Sequence, residues 1–325
     1  MSGSELPIEL RQAIKAFIRD IPQAELSRHA RAMSESYRKG RHSDNAVRDD
    51  EDVAAYLATR LPATYAAVTS ALEASTGRAS SFAPQSLLDV GAGPGTASWA
   101  AIEAWPSLRS ITLLDSNPRF LAAAETLAHA STSPVLRSAR LLRSDVAALD
   151  PASRFDAVIA VYALGELSEP AYSGAVQKSW GACGGLFLIV EPGTPSGFAR
   201  VLSARKLLLD EGANVVSPCA GAYGCPMTAP QWCHFTVRLA RSRAHRQAKD
   251  ADVPFEDEKF SYVAVARESI ALERIAGRIV APPRRFKPEM RLTVCADGAI
   301  SEHIIPSRTK AAFKAAAKKH WGDAI

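Results

Sequence analysis

The stretch Asp-Val-Gly-Ala-Gly-Pro-Gly-Thr at residues 89–96 limits what this chain can fold into more than any other. It follows the apolar run Leu87-Leu88, so it reads as the turn that leaves a buried strand. Glycine at 91, 93 and 95 lets the backbone take positive φ without a Cβ penalty, and a turn of this kind aims peptide N–H groups at a ligand beside the next helix N-terminus. The rhythm then repeats. Strands are predicted at 87–90, 111–114, 140–143, 155–161 and 186–190, with helical sequence between them, including 96–104 and 119–130. Apolar strands alternating with helices imply a parallel sheet covered on both faces. Residues 261–266 and the pair 291–294 and 300–305, joined around Asp297-Gly298, read as closing strands with a hairpin turn.

Residues 1–78 read as helices only. Leu10-Ala13-Ile14-Phe17-Ile18 and Val53-Tyr56-Leu57-Leu61-Tyr65-Val68 follow the 3.6-residue period, and the polar run from Tyr37 to Asp44 between them reads as a loop. The turn-forming run 76–84 marks a boundary, so an N-terminal helical region (1–78) and a larger domain (79–325) are expected. With 325 residues and 47% hydrophobic content the chain can bury a substantial core. No run of eighteen apolar residues suggests a membrane span. Glu5, Glu9, Asp20 and Glu25 near the start suit neither a signal peptide nor an acid-poor transit peptide, so a cytoplasmic home is expected.

The acids around the glycine turn sharpen its reading. Asp115 ends the second predicted strand, where a carboxylate accepts ribose hydroxyls, and Asp145 ends the third, near an adenine amine. Together these residues resemble the class I methyltransferases, which implies an α/β Rossmann-like sheet binding S-adenosylmethionine at Asp89, Gly91, Gly93, Gly95, Asp115, Asp145 and Tyr162. The turn by itself also suits a phosphate-binding Rossmann domain. After the fourth strand the chain reads Val161-Tyr-Ala-Leu-Gly-Glu-Leu, without the Asn/Asp-Pro-Pro-aromatic motif of nucleobase amino-methyltransferases, so no catalytic residue is assigned.

A second site is written in thiols. Cys219, Cys225 and Cys233 lie in a Gly/Pro-rich stretch, the insert 217–249, and Cys295 follows in Val294-Cys-Ala-Asp. Four thiolates complete a tetrahedral zinc site or hold one 4Fe–4S cubane. His234 beside Cys233 is an alternative fourth ligand. The Cys-x3-Cys-x2-Cys spacing of radical enzymes is absent. Cys183, before Gly184-Gly185, reads as a small core residue. The net charge is +5, and the basic residues gather in the C-terminal half. Arg238, Arg241, Arg243, Arg246 and Lys249 recur at helical spacing, which predicts a helix from about Pro230, anchored by Cys233, with one basic face. Arg284 and Arg285 form a second cluster, and Lys310, Lys314, Lys318 and Lys319 lie on a C-terminal helix. Such surfaces suit a polyanion. The acidic run 255–260 is expected to pack Phe255 and Phe260 and to pair with nearby arginines.

The cysteine stretch with Trp232-Cys-His-Phe235, Arg238-Leu239, His245-Arg246, the run Phe255 to Tyr262 and Val294-Cys295 resembles the methyltransferase-like assembly proteins of the ribosomal small subunit, known from mitochondria and with bacterial relatives. The resemblance covers most of residues 30–305. It implies a 4Fe–4S cluster on Cys219, Cys225, Cys233 and Cys295, with small-subunit rRNA as partner; the charge pattern offers Arg238, Arg241, Arg246, Lys249, Arg284 and Arg285 as its contacts. It further implies a role in subunit maturation, with neither DNA nor membrane as partner. An active rRNA methyltransferase with a structural metal is the rival reading.

Overall fold

The computed structural model describes residues 5–38 and 47–325. Four helices come first: α1 (Ile8–Phe17), α2 (Gln23–Arg38), α3 (Asp50–Thr59) and α4 (Leu61–Thr76). Of the polar run expected to loop, Tyr37 and Arg38 end α2, and residues 39–44 lie outside the described residues. Asp49 caps α3 by accepting from the Asp52 N–H, which satisfies one of the orphan donors of a helix start.

The sheet follows. Strand β1 (Ser86–Val90) leads into α5 (Thr96–Ala104), β2 (Ser110–Asp115) into α6 (Pro118–His129), and β3 (Arg140–Arg143) comes next. Strand β4 (Phe155–Val161) is followed by α7 (Glu169–Ala182), β5 (Cys183–Pro192) by α8 (Pro195–Asp210), and β6 (Asn214–Ser217) by β7 (Phe235–Ala240). A short helix, α9 (Arg243–Lys249), precedes the long β8 (Phe255–Ala266). The strand order is β3-β2-β1-β4-β5-β8-β6, with β7 also paired to β8. The first five strands run parallel, and β8 is antiparallel to β5, β6 and β7. The predicted βα alternation and its doubly covered sheet are therefore present.

Alternation along each strand divides the core. Leu87, Ile111, Leu113, Ile159 and Leu188 face one side, where they join Leu10, Leu26, Leu57 and Leu72 of the N-terminal helices. Leu88, Leu114, Val158, Phe187 and Ile189 face the other, against Val176 and Trp180 of α7 and Val201 and Leu208 of α8. The N-terminal helices thus share a core with the sheet. A smaller antiparallel sheet holds β9 (Arg278–Ile279), β10 (Arg284–Arg285), β11 (Glu289–Ala296) and β12 (Ala299–Pro306), before α10 (Lys310–Ala316). The β11–β12 hairpin turns at the expected pair, with φ of 47° at Asp297 and 76° at Gly298. Two left-handed residues are what a tight primed turn requires.

The predicted basic helix from Pro230 does not form. Residues 235–240 are β7, with Phe235 and Leu239 buried and β-branched Thr236 and Val237 between them. Pairing along β8 places Arg238 directly opposite Asp257. Side-chain alternation and a long neighbouring strand outweigh the helical spacing of the arginines, and only 243–249 is helical. Among the described residues no helix is long and apolar enough to cross a membrane.

Candidate functional site

The turn after β1 is held by its own backbone. Gly91, Gly93 and Gly95 have φ of 62°, 54° and 80°, and Gly95 starts α5. A Cβ on Gly91 would lie 2.3 Å from the Ala163 Cβ, so this position admits only glycine. A Cβ on Gly93 would meet nothing within 4 Å, so that side of the turn is open to a ligand. The Gly93 N–H donates to Asp115 Oδ2 (2.7 Å), and the Asn117 N–H donates to Asp115 Oδ1 (2.8 Å). The two hydrogen bonds fix this carboxylate beside the open face of the turn.

Asp89, 1% exposed, accepts from the Ser98 N–H (3.1 Å) and Oγ (2.8 Å), tying β1 to α5. Burial pushes its carboxyl up to about 7, with the Asp115 charge adding to the rise and the Ser98 hydrogen bonds opposing it. Asp145 is exposed and accepts from the Ala147 N–H (2.7 Å). Tyr162, at φ 54°, donates its hydroxyl to Glu258 Oε1 (2.9 Å). Burial, then the Glu258 charge, holds that hydroxyl well above its ordinary value. The polar group that follows β4 is therefore already engaged. The chemistry of the open Gly93 face and of Asp115 suits a nucleotide-type cofactor such as S-adenosylmethionine, whereas Asp89 and Tyr162 are engaged by Ser98 and Glu258.

The four C-terminal cysteines line one cavity of about 50 Å³. Cys219 and Cys225 lie on the loop after β6, Cys233 immediately precedes β7, and Cys295 lies in β11, so two sheets supply the walls. His234 does not line it; its ring stacks on Trp232 (5.2 Å) and meets the Trp321 edge (4.9 Å). Burial pushes the Cys295 thiol up to about 11, with the Cys219 and Cys225 charges adding to it, and raises the Cys219 and Cys233 thiols as well. Cys183 lies apart and buried, its thiol pushed up to about 12 by burial, as expected of a core residue.

Among the described residues, the three His, Cys, Asp or Glu side chains whose donor atoms all lie within 4.8 Å of one another are His29, Asp49 and Asp52. No three of the cysteine sulfurs are that close, whereas 2.3 Å Zn–S bonds in a tetrahedron need sulfurs about 3.8 Å apart. Four thiols around one cavity are a soft donor set that fits a thiolate-bound metal in kind. The His29 group has a different explanation. Asp52 accepts from the Arg48 N–H, donates its own N–H to Asp49, and sits 2.7 Å from His29 Nδ1, a packed helix start.

The basic residues are not gathered on one face. Arg238 makes a bidentate pair with Asp257 (2.6 and 2.7 Å), and Arg241 and Lys249 meet Glu256 at 3.4 and 2.7 Å. His245 Nε2 lies 2.9 Å from the same carboxylate. Burial works against ionisation of Glu256, but His245 and Lys249 outweigh it and hold the carboxyl well below its usual range. The acidic run pairs with arginines as expected and Phe260 is buried, while Phe255 stays exposed under Arg238. Arg284 pairs with Glu302, and Arg285 lies over Phe313, both in the smaller sheet's surroundings. Exposed cations of these segments outside any ion pair among the described residues include Arg243, Arg246, Arg285, Lys310, Lys314 and Lys318.

Sequence reading missed three arginines. Arg78 donates to the carbonyls of Cys219 (3.2 Å) and Ala220 (3.3 Å), Arg205 to those of Gly221 (3.3 Å) and Tyr223 (2.5 Å), and Arg278 to those of Pro218 (2.8 Å) and Gly322 (2.9 Å). They clamp the loop that carries Cys219. One signal was available: Arg205 shares the spacing of Val201 and Leu208, which puts a charge on the apolar stripe of α8.

The strand order, the antiparallel strand between β5 and β6, and the glycine turn with its acids define the chain as a class I methyltransferase fold. A family model described as mitochondrial small ribosomal subunit Rsm22 matches residues 50–325, and the chain belongs to that family. The human ribosome assembly protein METTL17, mitochondrial, is 28% identical over 296 residues, covering 83% of this chain and 61% of the relative. The mitochondrial Rsm22-cox11 tandem protein 2 of Schizosaccharomyces pombe is 26% identical, covering 95% of this chain and 47% of the relative. The chain thus spans about half to three-fifths of the length of these relatives. Magnesium protoporphyrin IX methyltransferase from Synechocystis, solved with bound SAM, is 13% identical, with a TM-score of 0.42 over 63% of this chain and 80% of that one. The expected cytoplasmic home is overturned, since the family description and the relatives are mitochondrial.

Proposed function

We propose that this chain assists assembly of a ribosomal small subunit, binds its rRNA, and carries a 4Fe–4S cluster on Cys219, Cys225, Cys233 and Cys295 in a fold that also takes up S-adenosylmethionine. The observation that carries this reading is the convergence of Cys219, Cys225 and Cys233 with the sequence-distant Cys295 on one cavity in a member of this ribosomal family. When bound, a thiolate-held group contributes folding free energy directly, because it ties the β6–β7 loop to β11. S-adenosylmethionine, held by the glycine turn and Asp115, would supply an activated methyl group. Methyl transfer is not part of the proposal, because the Tyr162 hydroxyl after β4 is occupied by Glu258.

Exposed Arg243, Arg246, Arg285, Lys310, Lys314 and Lys318 are the cations assigned to phosphate, and each contact releases counterions, so binding should weaken steeply with salt. Arg238, Arg241 and Lys249 instead hold the β7–α9–β8 corner together through Asp257 and Glu256.

The test is anaerobic purification with iron, sulfide and zinc analysis, a visible spectrum, and rRNA binding by the wild type and Cys225→Ser. About four irons and four sulfides per chain, lost in C225S together with rRNA affinity, is the expected result. One zinc and no sulfide would remove the cluster. Undiminished rRNA binding by iron-free C225S would remove the coupling of cluster to rRNA.

A further inference from the structure

The thiol cavity is ringed by positive charge that no carboxylate answers. Arg78, Arg205 and Arg278 are 6%, 7% and 3% exposed, and their hydrogen bonds go to neutral backbone carbonyls. Among the described residues none of the three forms an ion pair, and each keeps a buried guanidinium nitrogen without a hydrogen-bond partner: Nε of Arg78, Nε of Arg205 and Nη2 of Arg278. Arg205 and Arg278 line the cavity with all four cysteines, and the acidic residue of that lining, Asp297, is exposed on the β11–β12 turn.

Burying a guanidinium without a counter-ion is costly, and three together repel one another. The Arg278 charge acts on Arg78 in that unfavourable sense. An arrangement of this kind persists where an anion balances it. Four thiolates around a doubly positive metal centre carry a net charge of about −2, for zinc and for a cubane core alike. The sign and the place match.

We infer that Arg78, Arg205 and Arg278 are the built-in counter-charge of an anionic metal–thiolate group. Their carbonyl bonds shape the loop bearing Cys219 and Cys225; Arg205 and Arg278 line the cavity with the sulfurs, and Arg78 adds its charge from behind Cys219. This rests on the proposal that the cavity binds metal and adds to it which residues retain the group. It also sets a redox direction. Reduction of a cluster adds negative charge, so buried cations beside it favour the reduced form and raise its potential.

The experiment compares wild type, Arg205→Gln, Arg205→Lys and Arg278→Gln, each purified anaerobically and checked for folding by circular dichroism. It follows metal content, the rate of metal transfer to a chelator and, where iron is present, the midpoint potential. R205Q and R278Q should surrender metal about 10- to 100-fold faster than wild type, the usual effect of losing an outer partner of a metal ligand. Their midpoint potential should fall. R205K, which keeps the charge but not the planar fork, should release metal more slowly than R205Q. Should R278Q not fold, the R205Q and R205K pair decides. Equal release rates for R205Q and wild type, or equal behaviour of R205Q and R205K, would leave these arginines as loop clamps only and overturn the inference. A folded wild type free of iron and zinc would sink the metal reading itself, a result separable from the other two.

Discussion

The glycine turn and the cysteine cavity are built on different principles. The turn is made by eight consecutive residues, shaped by left-handed backbone and closed by hydrogen bonds to Asp89 and Asp115, which lie in it or one strand away. The cavity draws on residues from 78 to 298 and is shaped by charge: thiols on three segments, and arginines on the segment after α4, on α8 and on β9. A backbone-made site tolerates almost no change at its tightest position and little dependence on what it binds. A charge-made site is expected to depend on its occupant for stability.

Gly91→Ala is the strongest way to break that contrast. The new Cβ collides with Ala163 at 2.3 Å in a residue held at φ 62°, and the two penalties together predict a loss of roughly 3 kcal/mol or more in urea unfolding. The folded fraction should keep the wild-type metal content; loss of both together would show that the two regions are one cooperative unit. Removing metal with a chelator is expected to come next in size. It should lower the thermal midpoint by several degrees while leaving affinity for a cofactor analogue unchanged, as read by calorimetry.

Gly93→Ala sharpens the comparison further, because nothing lies within 4 Å of its Cβ. The left-handed conformation costs about 1 kcal/mol, so the protein should fold, and reduced cofactor affinity would mark that face as the cradle. Asp89 adds a test in pH rather than in ligand or glycine. Its folded-state value of about 7 lies above the ordinary 3.8, so between those limits the folded chain binds more protons than the unfolded one. Stability should therefore fall as pH rises through that window, and Asp89→Asn should flatten this slope in denaturant titrations at successive pH values.

The legibility of the two regions differs for the same reason. Strand and helix boundaries around the glycine turn could be read closely, since α5 and β4 begin and end where periodicity put them. The basic helix from Pro230 could not, because Phe235–Ala240 carries arginines at helical spacing yet lies beside β8, whose unpaired edge and facing Asp257 draw it into the sheet. The cysteines were visible as a set. Their arginine partners were not, since Arg78 sits in an ordinary turn and Arg278 in a two-residue strand.

By itself the sequence determined the βα rhythm, the glycine turn with its acids, the Asp297-Gly298 hairpin and the four thiols, because each depends on local backbone chemistry or on ligand type. Only the tertiary structure decided that Cys295 rather than His234 faces the other thiols, that Glu256 and Asp257 pair Arg238, Arg241 and Lys249 of the predicted basic face, and that buried Arg205 and Arg278 line the cavity while Arg78 braces its loop. Those outcomes depend on contacts between residues tens to hundreds of positions apart, whose energies are set by burial and charge that no local pattern encodes.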